Sequence, residues 1–280
     1  MASKKVAVVT GGNKGIGFGI VKGLCERFDG EVYLTSRDVT RGRDAVDKLK
    51  KLGLKALYHQ LDITDQNSID SFKEYIKSKH GGLDLLVNNA AIAFKQTAKE
   101  PFSIQAKETI FVNYFSTLKL CEALFPLLRN NARVVNLSSS LGHLSQIPSV
   151  DLRSKFNSKD LDIPTLSKLM EKFVKDAEAN RHKEEGWGNS AYSVSKVGVS
   201  ALSIIQQRMF DQEAPNRNIV VNHVHPGYVD TDMTSHMGPL TIDEGARSAL
   251  FAALDADFKG KYVWYDCTVV EWDAPNAPSQ

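Results

Sequence analysis

A short apolar segment that runs into a glycine-rich turn near the amino terminus constrains this sequence more than any other feature. Residues 6–9 are all apolar, as expected of a parallel strand covered by helices on both faces. Gly11, Gly15 and Gly17 follow at a spacing that suits a tight turn beneath a pyrophosphate. A helix starting near Gly15 would direct its free N–H groups and positive dipole end at phosphate. We therefore predict a dinucleotide-binding site.

The residue that follows the second predicted strand selects the dinucleotide. Arg37 lies about 20 residues beyond the last glycine of the turn, where an acidic residue would bind the ribose hydroxyls of NAD and an arginine accepts the 2′-phosphate of NADP. Lys14 and Arg41 add positive charge, whereas Asp38 argues mildly for NAD. The alternative is that the two arginines only begin a solvated helix. We predict NADPH as the cofactor.

Composition and charge exclude several other classes of function. The 280 residues carry a net charge of +2, which gives no electrostatic footprint for nucleic acid or for an anionic membrane. The three cysteines show no CxxC spacing, so neither a disulfide framework nor a metal site is expected. No signal-peptide pattern and no apolar run of membrane-spanning length is evident. We expect a cytoplasmic protein.

Strand-like and helical segments alternate along the chain, which predicts the fold class. The predicted strands cover residues 6–9, 31–36, 55–61, 83–87, 133–137, 218–224 and 261–265, and helical patterns lie between them, including a long one at 102–128. This order predicts an α/β fold, a single Rossmann-type doubly wound parallel sheet of about seven strands. We expect one domain over residues 1–272, an inserted helical segment at about 141–188, and a flexible tail over 273–280.

Polar residues follow several of these strands, at the carboxyl edge of the sheet where ligands bind in such folds. Asp62 follows the third strand and is a candidate adenine contact, although a helix cap for the segment at 65–79 is equally consistent with its spacing. Asn89 follows the fourth strand, and Ser139 follows the fifth. A serine cluster in isolation is usually a loop or a cap, so its meaning depends on what faces it.

Tyr192 and Lys196 are the side chains that we expect to face Ser139. An i, i+4 separation on the helix predicted at 190–210 places both on one face. A phenol normally titrates too high to act freely at neutral pH, and a nearby ammonium stabilises the phenolate. The pattern predicts a lowered pKa for Tyr192. For an isolated YxxxK motif, the alternative is a pair of surface residues.

His223 and His225 alternate on a predicted strand. Without a further ligand they are expected to be structural.

Taken together, these residues resemble the short-chain dehydrogenase/reductase family over nearly the whole chain. The motif series 10–17, 88–91, Asn113, Ser139, Tyr192/Lys196 and 226–227 occurs in the family's order. The sequences TGGNKGIG, RDVTRG, NNAAIAFK and KEEGW, with the long insertion, are similar to monomeric NADPH-dependent carbonyl reductases. In that group the insertion covers the helix face that related enzymes use for dimer contacts, so the resemblance implies a monomer.

The resemblance implies a role for each matching position. Tyr192 would be the proton donor, Lys196 would lower its pKa and hold the nicotinamide ribose, Ser139 would polarise the carbonyl, and Asn113 would support a water relay to Lys196. The implied cofactor-binding residues are Gly11, Asn13, Lys14, Gly15, Ile16, Gly17, Arg37, Arg41, Asp62, Ile63, Asn89, Tyr192, Lys196, Val229 and Thr231. The implied substrate contacts are Ser139, Leu141, Tyr192, Tyr228, Phe94, Lys95 and Gln105, with Trp187 as a further apolar wall. The resemblance allows glutathione adducts among the substrates, because Phe94, Lys95 and Gln105 align with positions that contact them in the resembling enzymes.

Three positions depart from the family pattern. Ala91 replaces the usual glycine beside the cofactor, Tyr228 replaces a tryptophan in the substrate wall, and Asp230 replaces a basic residue. The expected function is NADPH-dependent reduction of aldehydes, ketones or quinones to alcohols by hydride transfer. The alternatives are the NADP-dependent oxidation of steroid or prostaglandin alcohols, and a non-catalytic module that senses NADPH through a partner.

Overall fold

A computed structural model describes residues 4–95 and 97–279 of the chain. The first three residues of the predicted domain and the last residue of the predicted tail therefore lie outside the described residues. Within this part of the chain, no helix combines the length and the apolar character needed to cross a membrane.

One eight-stranded sheet forms the centre of the described structure. Its strand order is β3-β2-β1-β4-β5-β6-β7-β8, with β1 to β7 parallel and β8 antiparallel to β7. The strands are β1 Lys5–Val9, β2 Gly30–Ser36, β3 Leu57–Gln60, β4 Leu83–Asn88, β5 Leu128–Leu137, β6 Val220–Val224, β7 Tyr262–Val263 and β8 Val269–Val270. The order reverses between β1 and β4, which confirms the predicted doubly wound α/β fold.

Nine α-helices surround the sheet in the described residues. They are α1 Gly15–Arg27, α2 Val39–Lys51, α3 Gln66–His80, α4 Phe102–Ile110, α5 Thr117–Leu124, α6 Val150–Phe156, α7 Ile163–Glu178, α8 Ala191–Glu213 and α9 Ile242–Leu254. Alternate residues of β1 face opposite sides: Ala7 and Val9 pack in a core with α1, α2 and α9, while Val6 and Val8 pack in a second core with α3 and α5. Both faces of the sheet are thus covered, as the apolar strands require.

The predicted long helix at 102–128 is interrupted near its middle. Between α4 and α5 the chain makes a π-helical turn, Phe111–Ser116, which contains Asn113. The predicted boundary between this helix and the fifth strand is wrong, because β5 begins at Leu128, which pairs with Leu83 ahead of a register shift. Turns of the π type are frequent at functional sites, and this one carries a predicted site residue.

The inserted segment contains α6 and α7, of which α7 lies against α4 and α8. Its apolar stripe, Leu166, Leu169, Met170, Phe173 and Ala177, is buried in a third hydrophobic core. The i, i+3, i+4 spacing of apolar residues over 165–180 predicts an amphipathic helix, and the structure confirms it, because the stripe packs in the core. Asp162 caps this helix by accepting a hydrogen bond from the Thr165 backbone N–H at 2.8 Å.

Candidate active site

The glycine turn connects β1 to α1 with a backbone that only glycine accommodates. Gly15 has a φ of +54°, in the left-handed region that side chains disfavour. A Cβ on Gly17 would lie 2.4 Å from the Gly11 carbonyl oxygen and 2.4 Å from Asn89 Nδ2. Asn89 also braces the turn, because its Nδ2 donates to the Thr10 carbonyl at 2.9 Å and to the Gly11 carbonyl at 3.2 Å.

The start of α1 has the features of an anion site. Its N-cap residue is Lys14, which makes no side-chain cap, and the first turn of the helix holds no acidic residue. By contrast, α2, α3, α6, α7, α8 and α9 each have an Asp, Ser or Thr cap. The first N–H groups of α1 therefore remain available to phosphate oxygens. Asn13 and Ile16 are half-buried beside this start.

The loop that follows β6 closes over the same turn. Thr231 Cγ2 would lie 3.3 Å from a Cβ on Gly15, and Lys14 Nζ donates to Asp232 Oδ2 at 2.7 Å. His236 bridges Asp230 at 2.6 Å and Asp232 at 3.3 Å. Hydrogen bonding to Lys14 lowers the pKa of Asp232. The lysine predicted to meet the pyrophosphate is thus paired with a carboxylate of this loop, and Val229 is buried beneath it.

The residues predicted to select between NAD and NADP lie at the end of β2. Asp38 is the N-cap of α2 and accepts the Arg41 backbone N–H at 2.9 Å, while Arg41 Nε lies 3.6 Å from the same carboxylate. Arg37 is exposed, and its guanidinium makes no hydrogen bond or ion pair within the described residues. The carboxylate that argued for NAD is therefore used as a cap, which leaves Arg37 available to an anion.

Asp62 at the end of β3 forms a local turn. Its Oδ1 accepts the Thr64 backbone N–H at 2.9 Å and the Thr64 hydroxyl at 2.7 Å. The alternative prediction that Asp62 caps α3 is wrong, because the cap is Asp65, which accepts from the Asn67 backbone N–H. The next residue, Ile63, is buried at the same edge of the sheet.

Ser139 follows β5 at the start of a tight turn, residues 138–143, that we call the serine turn. Its Oγ accepts the Leu141 backbone N–H at 3.3 Å, and its side chain lies close enough to Tyr192 to act on the pKa of that phenol. Lys196 Nζ lies 5.6 Å from the centre of the Tyr192 ring and donates to the Leu137 carbonyl at 2.6 Å. The structure thus brings the predicted serine, tyrosine and lysine together at the carboxyl end of β5.

The pKa of Tyr192 shifts opposite to the predicted direction. Burial raises the pKa of Tyr192 to about 12. The side chain of Ser139 lowers this pKa, but its effect is the smaller of the two. Burial also lowers the pKa of Lys196 to about 8. The prediction was wrong because spacing shows that an ammonium is near but not how far both groups are removed from water, and desolvation disfavours the charged form of each.

Asn113 connects the loop after β4 to the tyrosine helix. Its Oδ1 accepts the Ile92 backbone N–H at 2.8 Å, and its Nδ2 donates to the Ile92 carbonyl at 2.9 Å and to Ser195 Oγ at 3.0 Å. Ser195 immediately precedes Lys196. The buried amide therefore fixes the helix segment that carries the lysine, and its side chain is fully engaged in doing so.

The predicted substrate contacts fall into two groups. Leu141 and Tyr228 expose 39% and 42% of their surface beside Ser139 and in the loop after β6, so both are free to contact a ligand. Lys95 is exposed, Phe94 is half-buried, and Gln105 donates to the Glu100 carbonyl at 2.8 Å. Within the described residues, no hydrogen bond joins these three side chains to Ser139 or Tyr192.

The prediction that Trp187 forms a wall of the site is wrong. It is 1% exposed and packs between Phe156 and Phe173 in the core of the insertion. Its Nε1 donates to Asp176 Oδ2 at 2.7 Å. The resemblance implied an apolar wall, and a buried carboxylate as the partner of the indole gives no signal in the sequence.

Three aromatic residues of the carboxyl-terminal part hold the serine turn, and sequence analysis missed their role. His225 Nδ1 accepts the Ser140 backbone N–H at 2.9 Å, Tyr262 donates its hydroxyl to the Ser139 carbonyl, and Trp272 Nε1 donates to the Gly142 carbonyl at 2.7 Å. Of these, His225 was predicted to be structural. Its place directly after β6, one strand from β5, is the signal that could have linked it to Ser139.

Comparison with known proteins places this geometry in a family. The model of the short chain dehydrogenase family matches residues 5–150. The chain is 43% identical to carbonyl reductase (NADPH) 1 of Bos taurus, over 97% of this chain and 99% of the relative. It is 44% identical to carbonyl reductase (NADPH) 1 of Homo sapiens, over 89% and 90%. Among solved structures, salutaridine reductase of Papaver somniferum has a TM-score of 0.83 at 31% identity, covering 94% of this chain and 100% of that one.

Proposed function

The chain belongs to the short-chain dehydrogenase family, and we propose that its site reduces aldehydes, ketones and quinones to alcohols with NADPH. One observation carries this assignment: Ser139, Tyr192 and Lys196 lie together at the same sheet edge as the glycine turn. The names of its relatives support carbonyl reduction, whereas neither alcohol oxidation nor an NADPH-sensing module finds support among them.

The residues at the start of α1 and at the end of β2 fit NADPH. The uncapped helix start suits a pyrophosphate, and Arg37 suits a 2′-phosphate. Further contacts would come from Asn89, Asp62 and Ile63 on the adenosine side, and from Val229 and Thr231 on the nicotinamide side. NADPH, when bound, supplies the hydride that reduces the carbonyl carbon.

Tyr192 and Ser139 act on the oxygen of the substrate. A phenol with a pKa of about 12 keeps its proton at neutral pH, so Tyr192 enters the reaction with a proton to give. The Ser139 hydroxyl donates to the same oxygen and polarises the carbonyl. Burial favours the neutral phenol, which is the form that donates a proton in carbonyl reduction.

Lys196 and Asn113 support the tyrosine. Lys196 has a pKa of about 8, so most of it is cationic at neutral pH and stabilises the phenolate left after proton transfer. Asn113 holds Ser195 and thereby the helix segment that carries Lys196. We assign Asn113 a positioning role; a water relay through its backbone stays a prediction.

Three finer features complete the proposal. The insertion packs α7 on α4 and α8 and buries its apolar stripe there, which supports a monomer.

The exposed Lys95 supports glutathione adducts as substrates, since their carboxylates would meet its ammonium. A cytoplasmic location is proposed on the cysteines, which are free in the structure.

A spectrophotometric panel tests this function. Purified protein is mixed with NADPH and menadione, an aromatic aldehyde or a glutathione adduct of an aldehyde, with NADH as the cofactor control. The proposal predicts loss of NADPH absorbance with at least one carbonyl, well above the rate with NADH. NADPH binding without turnover on any carbonyl would contradict it and favour the non-catalytic module.

A further inference from the structure

Tyr262 of β7 makes the most direct of the contacts that hold the serine turn. It donates its hydroxyl to the carbonyl of Ser139, the residue whose side chain acts on the pKa of Tyr192. The two flanking contacts, from His225 to Ser140 and from Trp272 to Gly142, bind the turn on either side of this point.

The Tyr262 ring is held rigidly. It is 1% exposed, stacks on His223 at 4.5 Å and 20° between ring planes, and meets Trp264 edge-on at 5.6 Å. Two packed aromatic neighbours leave the ring a single orientation, so the hydroxyl stays directed at the Ser139 carbonyl. Burial raises the pKa of Tyr262, so the hydroxyl also keeps the proton that it donates.

We infer that Tyr262 is a positioning residue for the reaction: its hydroxyl fixes the Ser139 backbone, and so aims the Ser139 hydroxyl at Tyr192 and at the substrate oxygen. The inference rests on the proposed function. Its physical basis is that a hydrogen-bond donor stabilises a transition state only when it is held within a fraction of an ångström of the developing charge. Trp272 stabilises the same turn through its hydrogen bond to the Gly142 carbonyl.

Removing this hydroxyl should impair the chemical step selectively. In Tyr262→Phe we expect kcat to fall about 10- to 100-fold, with the KM for NADPH unchanged. The pKa of Tyr192 should rise further, because the Ser139 hydrogen bond that lowers it is loosened. The matched control is Tyr33→Phe, which removes another buried phenol hydroxyl whose partners are Tyr75, His80 and Lys79.

The measurement is kcat and KM together with titration of Tyr192 by NMR of carbon-13-labelled tyrosine. A lower kcat and a higher pKa of Tyr192 in Tyr262→Phe, but not in Tyr33→Phe, support the inference. A wild-type kcat and an unchanged pKa of Tyr192 in Tyr262→Phe overturn it. If Tyr262→Phe does not fold, the same readouts on Trp272→Phe decide in its place. If the wild type reduces no carbonyl, the proposed function fails, while the titration still tests whether Tyr262 acts on Tyr192 through Ser139.

Discussion

At the scale of single residues, we propose that the choice of NADPH depends on Arg37, whose neighbour Asp38 is engaged as a helix cap. Asp38 could have repelled a 2′-phosphate, but it caps α2 and accepts from the Arg41 backbone. The exposed Arg37 guanidinium is thus the group best placed to select NADPH.

Replacing Arg37 by Ala should therefore remove the preference for NADPH. We expect the KM for NADPH to rise about 10- to 100-fold, as for the loss of a charge-assisted hydrogen bond, while the KM for NADH changes little. Steady-state kinetics with both cofactors measure this. The control is Arg43→Ala in α2, the helix that follows Arg37. An equal effect of that substitution would show that general positive charge is responsible.

If Lys14 binds the pyrophosphate as proposed, its ion pair with Asp232 competes with the phosphate for the lysine. Asp232→Asn should free Lys14 and tighten NADPH binding about two- to fivefold, the range of an exposed ion pair. The effect should shrink at high salt. Fluorescence titration of NADPH measures it. Asp243→Asn, which frees Lys22 of α1 from a similar pair at 2.6 Å, should leave the affinity unchanged, and equal tightening there would contradict the role of Lys14.

At this scale the sequence predicts which candidate catalytic side chains lie together better than it predicts how deeply they are buried. The YxxxK spacing correctly places Lys196 beside the Tyr192 ring. It gives the wrong direction for the pKa of Tyr192, because desolvation depends on the packing of distant segments. The choice of Asp65 over Asp62 as the cap of α3 likewise depends on where the chain leaves β3.

At the scale of secondary-structure elements, β6 and the residue that follows it hold two buried neutral histidines, His223 and His225. Burial lowers the pKa of His223 to about 3 and that of His225 to about 4. Between pH 6.5 and about 4 the unfolded chain therefore binds protons that the folded chain does not. Their contribution to the free energy of unfolding is fully present above pH 6.5 and is lost as the pH falls through this window.

His223→Phe should flatten that dependence. The aromatic stack on Tyr262 is kept, while the titrating nitrogens are removed. We expect the slope of the unfolding free energy against pH in this window to fall by up to about 1.4 kcal/mol per pH unit, the value for one proton. Urea unfolding at pH 7.5, 6, 5 and 4.5 measures the slope. An unchanged slope would contradict a neutral His223.

The sequence predicts most helices and strands from the spacing of their apolar residues. It predicts less well where an element is interrupted or what it pairs with. The stripe of α7 predicts a helix with one buried face, and the structure confirms it. The interruption of the helix around Asn113 and the eighth strand, Val269–Val270, have no comparable signal. The interruption depends on contacts of Asn113 with distant segments, which local patterns do not encode. The eighth strand pairs with the neighbouring β7, and two residues are too few to show an alternating pattern.

At the scale of the whole molecule, the insertion determines which surface remains free. Because α7 covers α4 and α8 with its apolar stripe, we expect a monomer in solution. Sedimentation equilibrium at micromolar protein should give the mass of one chain with or without NADPH. A stable dimer or tetramer would contradict this expectation.

The order of elements made the doubly wound sheet predictable, and the sheet in turn brings Ser139 and the glycine turn to one edge. The supports of the serine turn were not predictable, since Tyr262 and Trp272 lie more than 120 residues from it.

The central claim is that this site transfers a hydride to a carbonyl carbon while Tyr192 supplies the proton. The most direct measurement uses NADPH deuterated at the transferred position, with mass spectrometry of the alcohol formed by the wild type and by Tyr192→Phe. We predict one deuterium on carbon in the wild-type product, and no product from Tyr192→Phe although it still binds NADPH. Alcohol without deuterium, or undiminished turnover by Tyr192→Phe, would contradict the account.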